Sequence, residues 1–185
     1  MTKSVPFRLV ALVGLRGSGK TTLGRALAAR LGWAFADGDD LLAAHTGRDA
    51  AKFLTEAGEP AFRAAERAVL VPFVAGAAHA VIATGGGAVL SDEVRRGLVA
   101  TDVLTIWLVA DLQVLAGRLV AAPGTRPPLT DQAPDRELSL LAERRRPLYR
   151  EVADAVVDTG QLPLERCVER ILEWLRSGPP ADAIR

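Results

Sequence analysis

Gly14-Leu15-Arg16-Gly17-Ser18-Gly19-Lys20-Thr21 is the stretch on which the reading of this chain turns. It fits the pattern G-x-x-x-x-G-K-[ST], which has physical meaning only where a strand runs in and a helix runs out. Both conditions hold. Phe7 to Val13 is a short apolar, β-favouring run, and from Lys20 onward Leu23, Ala26, Leu27 and Leu31 recur at helical spacing. Glycines let such a loop turn its N–H groups toward a polyphosphate, and the helix that follows adds the positive end of its dipole. Lys20 supplies a compact charge for the β and γ phosphates, and Thr21 offers a hydroxyl to magnesium. Lys3, Lys20 and Lys52 are the only lysines among 23 basic residues, so a lysine at this position is not a product of composition. The expected ligand is a nucleoside triphosphate with magnesium.

The alternation continues outward from the loop. Ala34 to Ala36, Ala80 to Thr84, Val103 to Val109 and Ala155 to Val157 read as further strands. Between them lie helical patterns over Leu41 to Ala44 and Ala50 to Glu56, a helix opening at Pro60, and one capped by Ser91 and ending at Leu98. Further helices follow Asp111, Asp135 and Pro163, the last with Leu164, Val168, Ile171, Leu172 and Leu175 on one face. Five strands interleaved with helices predict an α/β fold with a parallel sheet. Residues 1–177 read as one domain, 38–75 as its acceptor-binding helices and 119–134 as a mobile lid, because Ala121 to Ala133 is rich in Pro, Gly and Thr without periodicity. The tail 178–185 is expected to be disordered.

A chain of 185 residues suffices for one real core but not comfortably for two. Basic and acidic residues number 23 and 22, a net charge of +1, which leaves no basic footprint for nucleic acid or an anionic membrane. No apolar stretch approaches the roughly 20 residues of a bilayer span. Arg8 interrupts the opening apolar run, which argues against a signal peptide, so a cytoplasmic protein is expected. The single cysteine, Cys167, permits no internal disulfide, and with two histidines there is little for transition-metal chemistry. No helix carries a sustained heptad seam, so a monomer is expected.

Phosphoryl transfer also needs an aligned acceptor and charge stabilisation, so carboxylates and arginines at strand ends matter next. Asp37-Gly38-Asp39-Asp40 follows the second strand at the carboxyl edge, where parallel sheets bind ligands. Its acids suit a metal and an acceptor hydroxyl, or equally a helix cap and turn. Arg63 and Glu66 form either an ordinary i,i+3 pair or part of an acceptor pocket. Gly85-Gly86-Gly87 gives up conformational entropy with no side chain to pack, which suggests close backbone approach to a ligand. Arg126, within the lid, is placed to fold onto phosphates on closure. The run Glu143-Arg144-Arg145-Arg146 reads as a solvated face, or as the source of one guanidinium that takes a carboxylate bidentately.

Taken in order, these residues resemble the shikimate kinases. The likeness runs from about Leu9 to Thr159 through the phosphate loop, Asp37 and Asp39, Thr46-Gly47-Arg48, Phe62-Arg63 with Glu66, the triple glycine, Arg126-Pro127, and Arg145 before Pro147-Leu148-Tyr149. The resemblance implies a P-loop NTPase-type three-layer fold with strand order 2-3-1-4-5, and ATP- and magnesium-dependent phosphorylation of the 3-hydroxyl of shikimate. It implies that Gly17, Ser18, Gly19, Lys20, Thr21 and Thr22 hold ATP together with the lid Arg126 and an adenine-contacting Arg118. Thr21 and Asp37 would hold one magnesium ion, Asp37 through water, and Asp39 would orient or deprotonate the acceptor hydroxyl. Arg63, Arg145 and the backbone of Gly85, Gly86 and Gly87 would hold shikimate. In place of the family's usual Arg-Pro-Leu, the lid reads Arg126-Pro127-Pro128-Leu129. Two other functions share the phosphate loop: a kinase for another small polar acceptor such as gluconate, and a nucleotide-binding module without turnover.

Overall fold

Every residue of the first strand, β1 (Leu9–Val13), is buried, as a strand covered on both faces must be. The computed structural model describes residues 6–121, 134–180 and 182–183. After β1 come α1 (Lys20–Leu31), β2 (Ala34–Asp37), α2 (Gly38–Thr46), α3 (Ala50–Gly76) and β3 (Ala80–Ala83). A 3-10 turn at Ala88–Leu90 leads into α4 (Asp92–Leu98), β4 (Val103–Val109), α5 (Leu112–Ala121), α6 (Pro134–Val152), β5 (Ala155–Asp158) and α7 (Leu164–Ser177). The strands form one parallel sheet in the order β2-β3-β1-β4-β5. That is the order the resemblance implied.

Alternate β1 side chains divide the core into two layers. Leu9, Ala11 and Val13 pack with Leu70 and Val74 of α3, Val94 and Leu98 of α4, Leu115 of α5 and Leu138 and Tyr149 of α6. Val10 and Leu12 pack on the other side with Leu23 and Leu27 of α1 and Val168, Ile171 and Leu175 of α7. Each such fully buried Leu or Ile contributes about 1.5–3 kcal/mol relative to exposure, so the apolar stripes of α1 and α7 suffice to fix them against the sheet. A smaller cluster of Leu42, Ala50, Leu54 and Phe62 ties α2 to α3 beside the sheet edge.

Several boundaries follow from local chemistry. Ser91 caps α4 by accepting from the Val94 N–H, as its sequence position predicts. The helix expected to open at Pro60 is continuous with the preceding one as α3, but the chain breaks from helical geometry at Gly58, whose φ is +79°. Pro163 stands at the N-cap of α7 rather than inside its first turn. Within the described part of the tail, the Ala183 carbonyl accepts from the Val156 N–H at 2.8 Å. β5 is an edge strand with open donors, and this bond occupies one of them. The lid's residues 122–133, including Arg126, lie outside the described residues. Among the described residues no helix is long and apolar enough to cross a membrane.

Candidate active site

The sheet carries the loop Gly14 to Gly19 out of β1 and closes it on the first turn of α1. Gly19 is the N-cap of α1 in the left-handed region, at φ +85°, a conformation that favours glycine. Lys20 Nζ donates to the carbonyls of Gly14 and Leu15 at 2.9 and 2.8 Å, which holds the cation over the loop. Ser18 is fully buried beneath it. Gly17, Gly19, Lys20, Thr21 and Thr22 border a cavity of about 860 Å³, which also receives Asp37, Asp39, Gly85, Gly86 and Arg118.

At the carboxyl end of β2, Asp37 performs two tasks through its two oxygens. Oδ1 accepts from the Asp39 N–H at 3.0 Å and caps α2, while Oδ2 accepts from the Thr21 hydroxyl at 2.7 Å. The two sequence readings of the acidic cluster are therefore compatible: the cap aims the carboxylate at the loop. A hydroxyl and a carboxylate side by side are hard oxygen donors, suited to magnesium brought in by a polyphosphate. Among the described residues, no three His, Cys, Asp or Glu side chains gather into a metal cluster of their own. Asp39, in the first turn of α2, borders the cavity beside them.

Gly85, Gly86 and Gly87 leave β3 and are all buried. Their lack of side chains makes room for two arginines. A Cβ on Gly87 would lie 2.5 Å from Arg63 Cζ, and one on Gly86 would lie 3.5 Å from Arg145 Nη1 and 3.3 Å from the Gly14 carbonyl. Arg63 and Arg145, from α3 and α6, thus come to adjacent residues beside the phosphate loop. Arg63 Nη1 donates to Glu66 at 2.7 Å, and its Nε and Nη2 reach Glu59 at 3.3 and 3.2 Å. Glu66 is buried, with its carboxyl pushed above the usual range by desolvation, an effect that Arg63 and then Arg145 oppose. Of the run Glu143 to Arg146, only Arg145 turns inward, and it is 4% exposed.

Arg145 shares its face of α6 with Glu137 and Tyr149, eight residues before and four after. All three are buried. Burial lowers the Arg16 guanidinium below its ordinary value; Glu137 opposes that shift and Arg145 adds to it. Arg16 therefore lies within electrostatic reach of both Glu137 and Arg145. The Tyr149 hydroxyl donates to the Gly86 carbonyl at 2.5 Å, and its ring stacks on Trp107 with centroids 5.8 Å apart. Sequence reasoning gave Arg16, Glu137 and Tyr149 no role. The available signal was periodicity: Glu137, Arg145 and Tyr149 fall on the stripe that buries Leu138 and Ala142.

At the far end of the cavity Arg118 donates from Nη1 to the Gly17 carbonyl at 3.2 Å and to Thr159 Oγ1 at 3.0 Å, and from Nη2 to the Thr159 carbonyl at 2.6 Å. This places the guanidinium beside the loop, on the side away from Asp39. Thr159, another residue without an expected role, also reaches the Ser18 and Val109 carbonyls at 3.1 and 3.2 Å. It joins the end of β5 to the phosphate loop.

Comparison with known proteins points to one family. The family model described as shikimate kinase matches residues 16–176. The shikimate kinase of Nitratidesulfovibrio vulgaris is 43% identical over 168 residues, covering 90% of this chain and 94% of that protein. That of Caulobacter vibrioides is 41% identical over 169 residues, 91% of this chain and 82% of its own length. Among solved structures, shikimate kinase from Acinetobacter baumannii in complex with shikimate superposes with a TM-score of 0.84 at 33% identity, covering 92% of this chain and 94% of that one.

Proposed function

This chain belongs to the shikimate kinase family, and from that premise we propose how its residues divide the transfer of the γ-phosphoryl group of ATP to the 3-hydroxyl of shikimate, giving shikimate 3-phosphate and ADP. The reaction is a step of aromatic amino-acid biosynthesis. ATP lies along the loop Gly17 to Thr22, with its β and γ phosphates replacing the loop carbonyls as partners of Lys20. Thr21 and Asp37, whose oxygens meet at 2.7 Å, would hold one magnesium ion. That ion, when bound, neutralises charge developing on the phosphates. Arg118 packs on the adenine end, and Arg126 of the lid closes over the phosphates, the role the resemblance gives it.

Asp39 accepts a hydrogen bond from the 3-hydroxyl, aligns it with the γ phosphorus and takes its proton as the bond forms. Arg63 and Arg145 grip the carboxylate at the opposite end of the ring, with the triple glycine as a floor. The observation that carries this reading is the meeting of the two guanidinium groups on adjacent glycines beside the phosphate loop. Gluconate kinases need no such pair, and a module without turnover needs no Asp39. Every group invoked comes from one chain, so the reading needs no second copy and supports a working monomer.

Arg63→Lys tests the placement. An ammonium cannot reproduce the two-pronged contact to a carboxylate, so the shikimate KM should rise about tenfold while the ATP KM stays within about twofold. Steady-state kinetics with each substrate varied in turn decides it. A defect confined to ATP would remove Arg63 from the acceptor pocket.

A further inference from the structure

Tyr149 touches both Gly86 of the triple glycine and Arg145 of the acid grip. It follows Arg145 by one helical turn on α6 and is 1% exposed. Its hydroxyl has one proton to donate and lone pairs to accept with. The proton goes to the Gly86 carbonyl, and the phenolic oxygen accepts from the Arg145 guanidinium. Burial pushes its phenol up to about 12, so it stays a donor through any working pH and takes no part as a base. A trans peptide points its N–H opposite to its C=O, and among the described residues no peptide is cis. Holding the Gly86 carbonyl therefore fixes the direction of the Gly87 N–H, on the residue against which Arg63 packs.

We propose that Tyr149 is a positioning residue for acceptor specificity: its hydroxyl locks the Gly86–Gly87 peptide and the Arg145 guanidinium into one unit that reads the carboxylate of the acceptor. This rests on the reading that Arg145 and the triple glycine hold that carboxylate. The ring does not need the hydroxyl to stay in place, since it stacks on Trp107 and is packed among the buried side chains of α6 and β1. A ring without oxygen leaves a buried guanidinium short of one acceptor and the peptide free to rotate, which is costly where water does not reach.

The test compares kcat/KM for shikimate with kcat/KM for its methyl ester, which keeps the reacting hydroxyl and loses the charge. In Tyr149→Phe the preference for the acid should fall about fivefold or more, chiefly through the shikimate KM, with the ATP KM unchanged. Thermal melting confirms that the variant is folded at the assay temperature. Trp107→Phe keeps the hydroxyl while altering the ring's neighbour, and should keep the preference. An unchanged preference in Tyr149→Phe, or an equal loss in Trp107→Phe, would overturn the proposal. Arg145→Lys separates the two levels: if it raises the shikimate KM while Tyr149→Phe does nothing, the inference alone fails. If Arg145→Lys leaves that KM normal, the acid grip fails and the inference with it.

Discussion

Replacing Asp39 by Asn should cut kcat by about a hundredfold or more while leaving the ATP KM nearly as it was. Asparagine keeps the size and one acceptor oxygen but cannot take a proton at neutral pH. Asp39 stands in the first turn of α2, held there by the Asp37 cap to its own N–H and bordering the cavity next to the phosphate loop. The substitution leaves that backbone cap intact, so the loop, Thr21 and Asp37 keep their geometry. A loss spread equally over kcat and the ATP KM would instead mean that Asp39 shapes the nucleotide site. Unchanged kcat would remove it from proton transfer altogether.

Gly87→Ala should raise the shikimate KM at least about tenfold, with the ATP KM within about twofold. The backbone at Gly87, with φ −97° and ψ 0°, is open to alanine, so no backbone strain enters. The methyl would instead lie 2.5 Å from Arg63 Cζ and Nη2, a distance that no real carbon contact sustains. Arginine is long and flexible, so the guanidinium moves and the sheet does not. Its displacement also weakens the pair with Glu66, whose side chain is 5% exposed, so the melting temperature should fall by a few degrees. Competition binding of shikimate and a thermal melt measure both effects. A normal shikimate KM would show that Arg63 holds no substrate from its present position.

The strands and the phosphate loop were legible in the sequence for clear reasons. Strands buried on both faces appear as short continuous apolar runs, and Val103 to Val109 and Ala80 to Ala83 stand where those runs lie. Ser91 and the glycine-rich loop punctuate them with residues whose chemistry has few other uses. Strand order was not readable from periodicity, which is blind to lateral neighbours, and came only with the family resemblance. The site was legible where a residue type is unusual for its place: a rare lysine, three successive glycines, acids at a strand end. It was not legible where an ordinary residue gains meaning from burial. Arg144, Arg145 and Arg146 look alike in sequence, and only the pitch of α6 turns the middle one inward. Tyr149 and Thr159 act through bonds spanning 63 and 141 positions of chain, to Gly86 and Ser18 respectively. No local pattern encodes pairings of that range.

In the proposed arrangement one cleft holds a triphosphate and a small acid end to end, with Asp39 at the junction and Arg63 and Arg145 at the far side. Coupled ADP release tests that arrangement, with ATP and magnesium fixed and the acceptor varied among shikimate, gluconate and none. Release should be rapid and saturable with shikimate and stay at background in the other two arms. Release with gluconate as efficient as with shikimate would contradict an acceptor site built around that pair of arginines, and equal background in all three arms would contradict phosphoryl transfer itself.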